Sequence, residues 1–374
     1  MQKIESPIQV TKSFLPPFNE YAQEIERIWN SSWLTNNGQI HQEFEDNVRK
    51  YLGVQNVSLL VNGHLALETA IKSLGITGEI ITTPFTFAST AHAISNAGLT
   101  PVFCDIDRTN YNLDVNKLES LITDKTTAIM PVHVFGNPCD IKKIDQIAKK
   151  HNLKVIYDAA HAFGVEIDDV GIGNFGDVTM FSLHATKVFH SIEGGILAYN
   201  NQKLKKDIDL FKNFGIEGPE KVKLVGINAK MNEFQAAMGL VNLRYIEGEI
   251  KKRKVIAEHY RGRLKEIGGI ICLQDIEGVK HNYAYFPILV DEQIVGINRD
   301  TLHEKLKEFN IFTRKYFYPL CTDFDCYAHI DNKHLINAKI IAQQVMTLPI
   351  YSGLSVEIID YICDAIKSIV SNYK

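Results

Sequence analysis

No stretch of the 374 residues is long and apolar enough to span a bilayer, and Met1 to Val10 lacks the apolar core of a secretory signal. Cysteine is sparse. Cys104, Cys139, Cys272, Cys321, Cys326 and Cys363 are scattered and form no CxxC pair. That removes the commonest zinc and thiol-redox patterns and leaves free thiols in a reducing compartment as the expectation, so a cytoplasmic location is expected. Charge of either sign is not in excess: 40 Lys+Arg against 44 Asp+Glu give a formal net charge of −4. General nucleic-acid binding needs a basic face and is set aside. A small phosphorylated ligand is still compatible, because a few local donors suffice. Internal repeats and low-complexity tracts are missing as well, which excludes solenoids and disordered tails.

What is present is a core and a rhythm. The chain is 45% hydrophobic and long enough for two domains. From Tyr51 to Tyr199, short apolar strands alternate with amphipathic helices: Asn56–Val61, Glu79–Thr83, Thr100–Asp105, Thr127–Val134 and Lys154–Asp158 as strands, with helices over His64–Leu74, Thr86–Ala97 and Asp140–His151. Such alternation with short loops predicts an α/β fold, a mostly parallel sheet sandwiched by helices. Ligands in such folds bind beyond the carboxyl ends of the strands. Met231 to Lys252 reads as one long helix ending in the basic run Lys251-Lys252-Arg253-Lys254, a solvated helix end. Beyond it the pattern changes to short mixed elements. Residues 1–250 are therefore expected to form a large ligand-binding domain and residues 251–374 a smaller C-terminal α+β domain.

Three strand ends carry candidate chemistry. Asn62-Gly63-His64 lies between a strand and a helix, where unpaired amides and the positive end of the helix dipole suit a phosphate. Gly63 lets a phosphate approach the backbone. An ordinary strand-to-helix turn has the same look. Asp158, in Ile156-Tyr157-Asp158-Ala159-Ala160-His161, closes an apolar strand. A carboxylate there can keep a pyridinium nitrogen protonated, or it can simply cap a helix. His161 can meet a ring hydroxyl or be structural. Ser182 adds a hydroxyl near the same edge. Lys187 follows the apolar stretch Val178 to Leu183, and a partly desolvated amine there is able to form a Schiff base. The pair Gly194-Gly195 suits a tight return into the strand Ile196 to Tyr199.

The order and spacing of Gly63-His64, Thr86-Phe87, Asp158-Ala-Ala-His161 and Ser182-x-His-Ala-Thr-Lys187 resemble the DegT/DnrJ/EryC1/StrS family of sugar aminotransferases. The likeness extends from Trp33-Leu34-Thr35-Asn36-Asn37-Gly38, through Pro131–Gly136 and Asn228–Ala237, to Tyr316–Leu320 and Leu348–Ser355. It implies a fold-type I enzyme dependent on pyridoxal 5′-phosphate, working as a homodimer with sites at the subunit interface. By motif match, Lys187 would bond the cofactor covalently, Asp158 would contact the pyridine nitrogen, His161 would lie near the ring hydroxyl and Phe87 would stack on the ring. Ser182 with the Gly63 and His64 amides would take the phosphate, completed by Asn228 or Lys230 from the second subunit. Two departures stand out: His64 replaces a frequent Thr, so a hydroxyl donor is missing, and Leu183 replaces a frequent aromatic residue.

The resemblance further implies that L-glutamate supplies the amino group and a nucleotide-linked keto sugar receives it, in surface-polysaccharide (lipopolysaccharide) biosynthesis. The segment His184 to Gly195 looks like members acting on dTDP-4-keto-6-deoxyglucose, which predicts amination at C4 to give dTDP-4-amino-4,6-dideoxyglucose; amination of a 3-keto-6-deoxy sugar is the alternative, and UDP- or GDP-linked substrates stay open. Arg314, Lys315 and Tyr318 are candidates for meeting the sugar nucleotide. A sugar dehydratase of this family carries His where Lys187 stands, and a regulatory protein that keeps only the fold would be expected to lose Lys187 or Asp158. Both residues are present.

Overall fold

The computed structural model describes residues 4–373. Helices α1 (Phe18–Ser31) and α2 (Gln39–Leu52) come first. The amides of Gly38, Ile40 and His41 at the start of α2 donate to the buried carboxylate of Glu233 at 3.0, 2.9 and 3.3 Å. An anion at a helix N-terminus satisfies donors that have no partner inside the helix.

Over the described residues the central sheet has seven strands. They are β1 (Asn56–Leu60), β2 (Glu79–Thr82), β3 (Thr100–Phe103), β4 (Thr126–Ile129), β5 (Lys154–Asp158), β6 (Val178–Ser182) and β7 (Gly195–Tyr199), in the spatial order β1-β7-β6-β5-β4-β2-β3. Helices α3 (Gly63–Ser73), α4 (Ala88–Asn96) and α5 (Ile141–His151) are the crossovers. β1 and β7 are buried along their whole length, and β5 is buried after Lys154. Side chains on both faces are covered, which is why these strands read as apolar runs rather than alternations. The pairs β2/β3, β2/β4, β4/β5 and β5/β6 are parallel, as expected. β7 is antiparallel to both β6 and β1. No crossover helix separates β6 from β7, so the chain can only return in the opposite direction. The carboxyl ends of β1, β2, β4, β5 and β6 consequently lie on one edge of the sheet.

The single helix expected over Met231 to Lys252 is instead two, α6 (Glu233–Leu243) and α7 (Ile246–Leu264). At the break, Arg244 N bonds Val241 O and Tyr245 N bonds Asn242 O, a tightened turn. The side chains hold it there: Arg244 bridges Glu20 and Glu24 of α1, and the Tyr245 hydroxyl donates to Glu20. The basic run accordingly falls inside α7 rather than at a helix end. Lys251, Lys252 and Lys254 are exposed, whereas Arg253 is buried and donates to Ile350 O at 3.1 Å.

The C-terminal part adds a three-stranded antiparallel sheet, β8 (Ile270–Cys272), β9 (Phe286–Val290) and β10 (Val345–Leu348), in the order β8-β9-β10. Helices α7 and α8 (Val356–Ser371) pack together beside it. Tyr260 of α7 stacks on Phe286 at 4.8 Å and donates to Pro349 O.

Candidate active site

A cavity of about 380 Å³ opens at the carboxyl edge of the large sheet. Its lining brings together Gly63, His64, Phe87, Asp158, His161, Ser182 and Lys187, and adds Arg314 from the C-terminal part.

Asp158 ends β5 and is 4% exposed. Its Oδ2 accepts from Thr90 Oγ1 at 2.8 Å and its Oδ1 from Ala160 N at 3.0 Å. Thr90 in turn shares a 2.9 Å hydroxyl contact with Thr86. Burial pushes the carboxyl above its ordinary range, against the pull of Thr90, the Ala160 amide and Lys187. Its side chain caps no helix. It is a carboxylate held inside a cavity with two neutral donors, and a cationic ligand group would relieve its burial.

Lys187 follows β6 and is half-buried. Loss of solvent lowers its pKa, while Asp158 and Tyr316 act the other way. A lowered pKa enlarges the fraction of free amine at neutral pH, the form that attacks a carbonyl carbon. His161 is buried, and its Nδ1 accepts from Phe135 N at 3.3 Å, which puts the ring proton on Nε2. Burial, reinforced by Lys187, holds its pKa well below the ordinary value, so the ring is neutral.

At the other end of the lining, Asn62 caps α3 by accepting from Leu65 N at 2.8 Å. The Gly63 and His64 amides occupy the first two helical positions, where no intrahelical partner exists. A Cβ on Gly63 would lie 3.1 Å from Ser182 Cβ and 3.2 Å from Met180 Sδ. Glycine is thus what lets α3 and the end of β6 close into one cradle. The His64 imidazole does not stand in for the missing hydroxyl, because Nδ1 pairs with Ser89 Oγ at 2.9 Å and Nε2 faces Glu68 and Asn96. Phe87 is 61% exposed at the cavity wall, leaving a ring face open.

Four of the expected residues lie outside this lining. Lys230 Nζ donates to Asn213 and Asn228 at 2.8 and 2.9 Å and sits over the Phe214 ring; it lines a second cavity with Lys212 and Asn213 although its backbone is bridged to Leu60. Lys315 pairs with Asp300 at 3.0 Å, and Tyr318 packs beneath Arg299 and Lys315. Conversely, Thr86, Thr90, Tyr285, Tyr316 and Phe317 line the cavity without having been singled out as site residues. Thr86 and Thr90 are four apart at the start of a helix after a strand, a spacing that puts both hydroxyls on one face. The three aromatic residues come from far along the chain; Tyr316 and Phe317 open the Tyr316–Leu320 segment of the family likeness, and Tyr285 carries no local signal.

A buried carboxylate for a pyridinium, a glycine cradle with free amides for a phosphate, an open aromatic face and a desolvated lysine amine fit pyridoxal phosphate. Fold and site together define a pyridoxal-phosphate-dependent aminotransferase. The sequence of residues 18–367 matches the DegT/DnrJ/EryC1/StrS aminotransferase family, and the chain belongs to it. It is 44% identical over 367 residues to the dTDP-4-amino-4,6-dideoxy-D-glucose transaminase of Shigella dysenteriae, covering 98% of this chain and 100% of that one. A transaminase of the same name from Escherichia coli is 45% identical over 361 residues, covering 95% and 96%. The crystal structure of DesI with its TDP-sugar product superposes with a TM-score of 0.95 at 32% identity, covering 99% of this chain and 94% of that one.

Proposed function

We propose that this enzyme moves an amino group from L-glutamate to C4 of dTDP-4-keto-6-deoxyglucose, giving dTDP-4-amino-4,6-dideoxyglucose for surface-polysaccharide synthesis. The observation that carries the reading is the full-length likeness, at 44% and 45% identity, to two transaminases named for that product. The cavity supports it, since Lys187 and Asp158 share it with Arg314 at its mouth, a cation able to meet a pyrophosphate.

Pyridoxal phosphate, when bound, supplies an electron sink that lets a proton leave the carbon carrying the amino group. The chain does the rest. Asp158 would hold a negative charge for the ring nitrogen and keep it protonated. Ser182 and the Gly63 and His64 amides would hold the phosphate, Phe87 would take a ring face, and His161 would offer its Nε2 proton to the ring hydroxyl. Lys187 Nζ, once free, takes a proton from one carbon and returns it to another, as base and then acid. Glutamate and sugar use the site in turn, so ping-pong kinetics are expected.

The functional unit in this reading is a cytoplasmic homodimer, with Asn228 or Lys230 of each subunit completing the phosphate site of its neighbour. Their position outside the cavity of their own chain accords with such a role. Among the described residues no helix is long and apolar enough to cross a membrane.

Incubation with dTDP-, UDP- and GDP-linked keto sugars plus glutamate, read by mass spectrometry and NMR, tests the assignment. A 4-amino product from dTDP-4-keto-6-deoxyglucose is expected. An amine at C3, or turnover restricted to UDP or GDP sugars, overturns the substrate assignment while leaving the aminotransferase class intact.

A further inference from the structure

The lining also holds Tyr285, Tyr316 and Phe317, and Tyr285 and Phe317 pack against His161. Tyr285 stands just before β9 and is 7% exposed. Lys187 Nζ donates to its hydroxyl oxygen at 3.5 Å and lies 5.9 Å from its ring centroid. That hydroxyl has no other hydrogen-bond partner among the described residues. The Tyr316 hydroxyl, by contrast, accepts from Arg314 at 3.3 Å.

The ring of Tyr285 is fixed on several sides. His161 lies 4.7 Å away, Tyr316 5.7 Å and Phe135 6.0 Å. The backbone leading to it is tied to the Asp158–His161 loop. Fully buried Asn282 donates to His161 O at 2.8 Å and Phe163 O at 2.9 Å, and accepts from Ala284 N at 3.1 Å. The phenol is thus registered to the β5 loop by a polar clamp, although more than a hundred residues separate the two in sequence. Burial also keeps it un-ionised, its pKa pushed up to about 12.

We infer that Tyr285 is a positioning residue for Lys187: its hydroxyl oxygen takes one N–H of the ammonium that Lys187 becomes on capturing a proton, and so fixes where that nitrogen stands when it gives the proton back. The inference rests on Lys187 being the proton-carrying amine. A flexible lysine has several rotamers to sample once it is free, and a fixed acceptor at the end of its reach removes most of them. A neutral amine offers a lone pair that a phenol O–H can occupy, whereas the ammonium can only donate, so the acceptor role of the Tyr285 oxygen belongs to the charged form. The ammonium has three N–H to give, so one can be held by Tyr285 while another is delivered. The other charged or titratable groups around Lys187 and Tyr285 are Asp158, His161, Tyr316, Arg314 and Arg253.

Tyr285→Phe removes one oxygen and leaves the ring packed, and the lost hydroxyl has no structural partner, so the variant should fold; a thermal melt checks this. kcat should fall about tenfold, the worth of one neutral hydrogen bond, with KM for glutamate within about twofold. The second readout needs no cofactor. In apoprotein, the pH dependence of acylation of Lys187 by a small reagent, followed by peptide mass spectrometry, gives the amine's titration midpoint. Loss of an acceptor for the ammonium should lower that midpoint by about 0.5–1 pH unit. An unchanged midpoint or an unchanged kcat in Tyr285→Phe overturns the inference. Borohydride reduction of the Tyr285→Phe holoenzyme separates the two ideas: cofactor fixed on another lysine refutes the reading of Lys187 itself, whatever the kinetics show.

Discussion

Asp158→Asn removes a charge and little else. The Asn oxygen can keep the Ala160 amide that Oδ1 now accepts at 3.0 Å. Its NH2 then faces Thr90 Oγ1, which at present donates to Oδ2 at 2.8 Å. Thr90 can turn its proton toward Thr86 Oγ1, 2.9 Å away, and accept from the new amide. One hydrogen bond is reversed rather than lost. Exchanging a charged acceptor for a neutral one costs about 1 kcal/mol per bond. Burial of the carboxylate, which already raises its pKa, is relieved in return. Apoprotein stability should therefore stay within about 1–2 kcal/mol of wild type, a melting shift of a few degrees at most. Activity should respond on another scale. A preorganised charge aimed at a developing or retained opposite charge is worth about 10²–10³ in rate. The assay is kcat at saturating sugar nucleotide and glutamate, beside thermal melts of apo and holo forms. A variant that keeps its rate within about threefold of wild type would reduce Asp158 to a residue that only orders its own turn. One that loses its rate because the apoprotein no longer folds would show that the carboxylate is structural.

Other outcomes follow from the same geometry. Gly63→Ala should gain about 0.5–1 kcal/mol of helix propensity yet crowd Ser182 and Met180, an overpacking cost of about 1–3 kcal/mol, so the apoprotein should melt slightly lower and bind pyridoxal phosphate more weakly by equilibrium titration. Buried His133 has its pKa lowered to about 3 by desolvation. Between that value and the unfolded value of about 6.5 the unfolded chain binds a proton that the folded chain does not, so this residue costs stability as pH falls through the window, by about 1.4 kcal/mol per unit. Urea melts at pH 6 and pH 5 should show a slope smaller by about that amount in His133→Phe, which keeps a ring against Tyr157. A mixed dimer of Lys187→Ala subunits with subunits changed at both Asn228 and Lys230 should recover up to about half of normal activity, because both lesions then share one site and the other is whole. A fully active monomer in sedimentation at assay concentration removes that role from both residues.

Much of the site was legible because its polar groups stand at strand ends. Asp158 and Ser182 close apolar strands, and Lys187 and Gly63 follow such strands within a few residues, so local pattern and strand direction place all four on one edge. Thr90 was legible in principle, four residues after Thr86 in a helix start. Tyr285 was not, and Tyr316 and Phe317 were marked only as part of the family likeness, since their place depends on how the C-terminal part docks, and the Asn282 clamp beside Tyr285 has no periodic signature. Charge misleads in the same region. Lys315 and Arg253 read as free cations, but one is paired with Asp300 and the other is spent on a buried carbonyl. The break between α6 and α7 shows the same limit, because it is held by Arg244 and Tyr245 reaching the distant Glu20 and Glu24. β7 runs against the parallel rule because a loop, not a helix, joins it to β6.

The claim on which the rest depends is that Lys187 holds the cofactor. Wild-type protein incubated with pyridoxal phosphate, reduced with borohydride, digested and read by mass spectrometry tests it directly. The account predicts one stoichiometric modification, on the peptide containing Lys187, absent from Lys187→Ala. A stoichiometric modification on any other lysine, or an unmodified Lys187 in active enzyme, contradicts it.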